Sequence, residues 1–151
     1  MFLSFHNRVK LAFVHPELVR VFDEAVNFYS KKIRIIEGLR SVQRQNQLYL
    51  QGKTKTLDSR HLTGHALDLV TQDNGNILWD EPNAIQLAAA IRASAIKCGV
   101  PIRWGGCWQE INTVVNLKQA ATDYVARLKA QKRKPLIDMV HFELPKDRYP
   151  S

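Results

Sequence analysis

Cysteine is nearly absent from this 151-residue chain, which carries only Cys98 and Cys107, in no C-x-x-C or other paired-thiol spacing. That excludes a disulfide framework, a zinc ribbon and a dithiol redox motif. Long apolar runs are missing too, and nothing approaches the roughly 20 residues of a membrane-spanning helix. The opening segment MFLSFHNRVKL lacks the basic head, unbroken apolar stretch and small-residue cleavage site of a secretory leader. The expectation is a soluble protein made in the cytoplasm without a signal peptide. Internal repeats and low-complexity tracts are also lacking.

Acidic residues are the scarcer charge, 14 against 22 Lys and Arg, for a formal net charge of +8. Such a surface favours polyanions, whether nucleic acid, anionic lipid or anionic wall polymer, and does not choose among them. The densest basic run, Lys129 to Lys134, reads as a solvated helix end whose cations complement the helix dipole. Hydrophobic residues at 45% and charged residues at 24% give a globular composition and exclude disorder. The length fits one domain, residues 1–151.

Apolar spacing at Leu18, Val21, Phe22, Ala25 and Val26, opened by Pro16, predicts a helix. Alternation over Lys32 to Ile35 predicts a half-buried strand ended by Gly38. Ser41 is set to cap a second helix running to about Leu50, with Gly52 as its stop. Ala66 to Val70 reads as a strand, and the turn signal around Asn74-Gly75 returns Ile77 to Trp79 beside it. Pro82 to Cys98 is the clearest helix, stopped by Gly99. Val100 to Trp104 reads as a strand, Leu117 to Gln131 as a helix and Met139 to Leu144 as a final strand. Interleaved helices and strands with a hairpin predict an α+β fold, a small and mainly antiparallel sheet with flanking helices.

The chemistry is concentrated in two segments. The first, Ser59-Arg60-His61-Leu62-Thr63-Gly64-His65-Ala66-Leu67-Asp68, offers an imidazole and a carboxylate on either side of a glycine turn. Catalytic zinc takes three such protein donors and keeps one position for water. His61 and Asp68 supply two, with Ala66 keeping the strand entry slim. The third is sought in Asp138-Met139-Val140-His141-Phe142-Glu143, where His141 and Glu143 share one strand face and Val140 and Phe142 the other. Asp138 lies just before that strand, in reach of water at the metal without binding it. Glu143 either orients a ligand or is a strand-end charge. His6, His15 and His65 read as structural, with His65 exposed or standing behind the ligands. Trp104 and Trp108 read as core or cleft wall.

The pattern S-x-H-x-x-G-x-A-x-D from Ser59 to Asp68, with D-x-x-H-F-E from Asp138 to Glu143, resembles the VanY/VanX-type D-alanyl-D-alanine carboxypeptidase and dipeptidase metallopeptidases. Within them the chain looks most like phage endolysins of the L-alanyl-D-glutamate peptidase type. Glu37-Gly38-Leu39-Arg40-Ser41, Arg44-Gln45, Gln51-Gly52 and Arg103-Trp104-Gly105-Gly106 extend the resemblance over most of the chain. It implies His61, Asp68 and His141 as Zn2+ ligands, Asp138 as general base and Arg40 as the cation facing the attacked carbonyl. Ser59 is implied as a substrate contact. The family's acidic residue after Trp-Gly-Gly is Cys107 here, and roughly thirty residues separate it from Asp138; with three ligands named, a thiol is not needed as a fourth. The inserted helix is expected to wall the cleft.

The implied function is hydrolysis of bacterial peptidoglycan stem peptides at the L-alanyl-D-glutamate bond, as an endolysin causing host cell lysis. A monomer would wait in the host cytoplasm and reach the wall after membrane breach, its charge aiding contact with anionic envelope. The same metal core serves D-alanyl-D-alanine cleavage. Outside that chemistry stand a basic nucleic-acid-binding protein, which no base-reading motif supports, and a zinc module that only binds wall.

Overall fold

The computed structural model describes residues 4–151; the first residues of the segment read for an export leader lie outside them. The expected α+β architecture is what forms. Helices α1 (Phe5–Lys10), α2 (Pro16–Phe28), α3 (Val42–Leu50), α4 (Glu81–Cys98) and α5 (Leu117–Ala130) surround a six-stranded sheet. Its strands are β1 (Lys32–Glu37), β2 (Ala66–Asp73), β3 (Asn76–Leu78), β4 (Arg103–Trp104), β5 (Gln109–Glu110) and β6 (His141–Glu143). The order is β1-β2-β6-β4-β5, with β3 also paired to β2, and every pairing is antiparallel.

Local chemistry sets the helix ends. His15 caps α2 by accepting the Glu17 amide at Nδ1, with Pro16 in the first turn where its missing N–H costs nothing. Asp80 caps α4, and Gly99 ends it in the left-handed conformation. The two helices pack together, with the Ser94 hydroxyl donating to the Val21 carbonyl between them. Leu18, Val21 and Phe22 of α2 join Leu87 and Ile91 of α4, Ile33 and Ile35 of β1, Leu67 and Leu69 of β2 and Phe142 of β6 in one core. Each large side chain there contributes on the order of 1.5–3 kcal/mol of burial.

Three details depart from the sequence reading. Helix α1 carries no strong apolar periodicity and is held instead by Asn7, whose amide donates to the Ile33 carbonyl and accepts the Ile35 amide. That side chain stands in for a strand partner along the edge of β1. The strand expected from Val100 begins only at Arg103, because the Val100 amide closes the end of α4 on the Ala95 carbonyl and Pro101 has no N–H. The last strand begins at His141 rather than Met139, because the His141 amide turns back to the Asp138 carbonyl.

Candidate metal centre

Strand register builds the site. Glu37 lies opposite Asp68 and Asp68 opposite His141, forming one row across the sheet. Ala66 lies opposite Glu143 and Glu143 opposite Arg103, forming the next. Directly opposed residues share a face, so both rows point away from the core and into one cleft. Glu37 reaches that face through an irregularity: the β1 register shifts between Ile35 and Glu37. In an unbroken strand Glu37 would follow Ile33 and Ile35 into the core, and the extra residue re-aims it.

His61 comes from a short 3-10 turn, Arg60–Thr63, capped by the Ser59 hydroxyl and closed by Gly64 at φ 74°. A β-carbon at Gly64 would also stand 2.2 Å from the Phe13 carbonyl oxygen, so no other residue fits that closure. His61 Nε2 lies 3.1 Å from Asp68 Oδ1, and His141 Nδ1 lies 3.2 Å from the same oxygen. One donor atom from each of the three residues falls within 4.8 Å of the others.

The outer nitrogens decide what this cluster accepts. His61 Nδ1 sits 2.8 Å from the Gly38 carbonyl oxygen, and His141 Nε2 sits 2.8 Å from Glu143 Oε1. Both partners only accept, so each outer nitrogen carries the hydrogen. In the neutral rings both inner nitrogens then present lone pairs to an ionised carboxylate. That arrangement is repulsive until a cation, either a proton or a metal ion, enters. Two imidazoles and a carboxylate, each imidazole held from behind by an acceptor, fit a catalytic divalent metal. With protons alone, burial works against charge on His141, but hydrogen bonds to Asp68 and Glu143 prevail and push its pKa up to about 9. Burial would raise Asp68 and Glu143, yet their histidine partners hold both below the usual carboxylate range.

Asp138 stands beside this cluster without joining it. Its amide donates to the Gly105 carbonyl at 2.9 Å, and the Gly105 amide donates to the His141 carbonyl at 2.9 Å. A β-carbon on Gly105 would lie 2.2 Å from the Asp138 carbonyl oxygen, so glycine lets the two segments close together. Burial, reinforced by the Asp68 charge, raises the Asp138 pKa. Arg40 is gripped by Glu37 through Nε at 2.7 Å and Nη2 at 2.5 Å, and by Gln45 through Nη1 at 2.7 Å. Burial disfavours its charge, but Glu37 raises its pKa overall. A guanidinium has five N–H groups, so two remain for the cleft. The cleft encloses about 500 Å³ and is lined by Arg40, Ser59, His61, Asp68, Asp138 and His141 among others.

Arg40, Ser59, His61, Asp68, Asp138 and His141, the residues to which the resemblance gives roles, therefore meet in one cavity. A family model described as phage L-alanyl-D-glutamate peptidase matches residues 1–144. The chain belongs to this family. It is 30% identical over 103 residues to the L-alanyl-D-glutamate peptidase of Escherichia phage T5, a match covering 66% of this chain and 75% of that protein. The crystal structure of the Serratia marcescens L-Ala D-Glu endopeptidase ChiX matches with a TM-score of 0.76 and 32% identity, over 99% of this chain and 93% of that one.

In this peptidase several side chains behave otherwise than expected. The inserted helix α5 does not wall the cleft: it packs Leu117, Ala121, Tyr124 and Leu128 into the core, and of the stretch between Cys107 and Asp138 only Trp108 and Leu136 line the site. His65 is neither exposed nor behind a ligand. It is buried against His15, with Nδ1 bonded to the Thr63 hydroxyl. Cys107 is sealed in the core, outside the donor cluster. Glu143 is not a free strand-end charge: its Oε1 lies 2.8 Å from His141 Nε2. The sequence reading gave no role to Glu37, to Gln45 or to the Gly38 carbonyl. The signal for Glu37 was its place in E-G-L-R, three residues before an arginine it could chelate.

Proposed function

We propose that this chain uses Zn2+, held by His61, Asp68 and His141, to hydrolyse the L-alanyl-D-glutamate bond of peptidoglycan stem peptides during phage-driven lysis. The observation that carries this reading is the convergence of two imidazole lone pairs on Asp68 with a separate, buried carboxylate beside them, in a member of this family. When bound, zinc supplies a Lewis acid that polarises the amide carbonyl and brings the pKa of water toward about 7.

The chain's own groups do the rest. Asp138, its basicity raised by burial, accepts the proton of the attacking water at its carboxylate and returns it to the leaving nitrogen. Arg40 presents its two remaining N–H groups toward the carbonyl oxygen, fixed in place beforehand by Glu37 and Gln45. Gly38 and Glu143 keep both histidines in the tautomer that points a lone pair inward. The Ser59 hydroxyl caps the His61 turn as an acceptor, and its own hydrogen is left for substrate.

One domain, residues 1–151, suffices as a monomer for this chemistry. Among the described residues no helix is long and apolar enough to cross a membrane. We place the protein in the host cytoplasm until the inner membrane is breached, after which its +8 charge draws it to anionic envelope. The test is digestion of purified sacculi with and without chelator, followed by mass spectrometry. New amino termini on D-glutamate, lost with chelator, are expected. Release of terminal D-alanine instead would assign the D-alanyl-D-alanine reaction, and glycan cleavage alone would remove the peptidase reading.

A further inference from the structure

The bond assigned above has a charge beside it. In a stem peptide the D-glutamyl residue is acylated at nitrogen and continues through its γ-carboxyl. Its α-carboxylate is therefore free, on the same carbon as the leaving nitrogen. The cleft that must receive it is already lined by Glu37, Asp58, Asp68, Asp138 and Glu143. A further carboxylate entering this half-enclosed space is repelled unless a cation with open N–H groups stands close to the reacting bond.

Most of the cleft's cations are occupied or remote. Arg40 is bound to Glu37 and Gln45, and its two remaining N–H groups are assigned above to the attacked carbonyl. Arg60 donates to the Leu144 and Tyr149 carbonyls and ties down the chain after β6. Lys146 faces Asp58. Arg44 and Lys53 belong to α3 and the turn after it, not to the sheet that carries the donor cluster.

Arg103 differs on each count. The register sets it directly across from Glu143, on the cleft face and one row from His141. Its guanidinium lies over the Trp108 ring at 5.0 Å, and that ring is 5.4 Å from the His141 ring. Nε donates to the Trp108 carbonyl at 3.2 Å, and Nη1 makes a long contact of 3.4 Å with Glu143. Nη2 has no partner among the described residues, and the side chain is 42% exposed in the cleft wall. Trp108 itself is held at φ 54°, an unfavourable conformation for a bulky residue, with its indole N–H bonded to the Leu136 carbonyl. Such strain persists where the surroundings impose it, and here it lays a flat aromatic platform under the arginine. Stacking leaves the edge of the guanidinium open to a bidentate carboxylate.

The geometry points to Arg103 as the seat of the free α-carboxylate of the D-glutamyl residue, with Trp108 as its platform. This inference rests on the L-alanyl-D-glutamate reading. It makes the enzyme selective for stem peptides with D-glutamate over those with D-isoglutamine, whose α-amide is neutral and cannot accept two parallel N–H bonds.

The test compares matched stem peptides of the two kinds with the wild-type, Arg103→Gln and Arg103→Lys enzymes. Wild type is expected to favour the acid by about 30-fold in kcat/KM, the equivalent of about 2 kcal/mol for charge-assisted hydrogen bonds. In Arg103→Gln the ratio should fall toward one through a higher KM on the acid, with the amide losing far less, and Arg103→Lys should lie between. A readout independent of turnover is calorimetric binding of the L-Ala-D-Glu dipeptide to Asp138→Asn protein, which should weaken about 30-fold when Arg103→Gln is added. An unchanged acid-to-amide ratio, or equal losses on both substrates, would overturn the proposal, the second by showing that Arg103 only steadies Glu143. If wild type cut neither peptide, the reaction reading would fail. The dipeptide binding would still decide this one, since equal affinity with and without Arg103 removes the carboxylate seat.

Discussion

The two faces of β2 and β6 are made from alternate residues of the same strands, yet they are held by opposite physics. On one face Leu67, Leu69 and Phe142 are sealed into the apolar core, where stability follows from area removed from water. On the other, Asp68, His141 and Glu143 are almost as deeply buried. They are compatible only when a cation settles their lone pairs and charges. Substitutions on one face should therefore cost stability at full chemistry, and on the other cost chemistry at nearly full stability.

The largest separation is expected from pairing Asp138→Asn with Phe142→Ala. The first should lower kcat/KM by about 10³-fold with little change in melting temperature, as loss of a general base does. The second should cost about 3 kcal/mol of unfolding free energy, read by denaturant melts, while the folded fraction keeps its zinc. A large drop in stability for Asp138→Asn would erase the contrast. Next in size, Glu143→Gln leaves the fold intact but removes the charged acceptor behind His141, and zinc affinity measured by competition should weaken about 10- to 100-fold.

The smallest effect sharpens the role of the cation. In metal-free protein His141 is raised from 6.5 to about 9, so its contribution is complete below pH 6.5 and lost as pH climbs through 9. Asp68 is depressed below 3.8, so its contribution is present above that value and lost as pH falls through the folded pKa. Chelated protein should thus be most stable between about pH 4 and 6.5, and should lose roughly 5 °C of melting temperature by pH 9. Zinc-loaded protein should show no such alkaline loss, because deprotonated histidine is what the metal requires. Parallel curves with and without chelator would mean that protons and zinc do not compete for this cluster.

What could be read from the sequence follows the same division. The meeting of His61, Asp68 and His141 was legible because a metal site calls for particular side chains at short spacings, and the two-residue period of a strand assigns the face of Asp68 and His141. Helices α2 and α4 were legible from apolar spacing, with Pro16 opening the first and Gly99 stopping the second. The supporting shell was not. Glu37 reaches the cleft only through a register shift that leaves no mark in residue types. The partner of His61 is the backbone carbonyl of Gly38, which every residue possesses. His65 is buried by His15 and α1 is anchored by Asn7, both contacts across distant parts of the chain. Arg103 stood in a recognised segment, but its face followed from pairing with Glu143 alone.

The most direct test of the central claim is zinc stoichiometry of purified protein combined with X-ray absorption at the zinc edge, for wild type and His141→Ala. One zinc per chain is expected, with two imidazoles and only nitrogen or oxygen neighbours, falling to substoichiometric metal in the variant. Sulfur in the coordination sphere, or full zinc retained without His141, would contradict it.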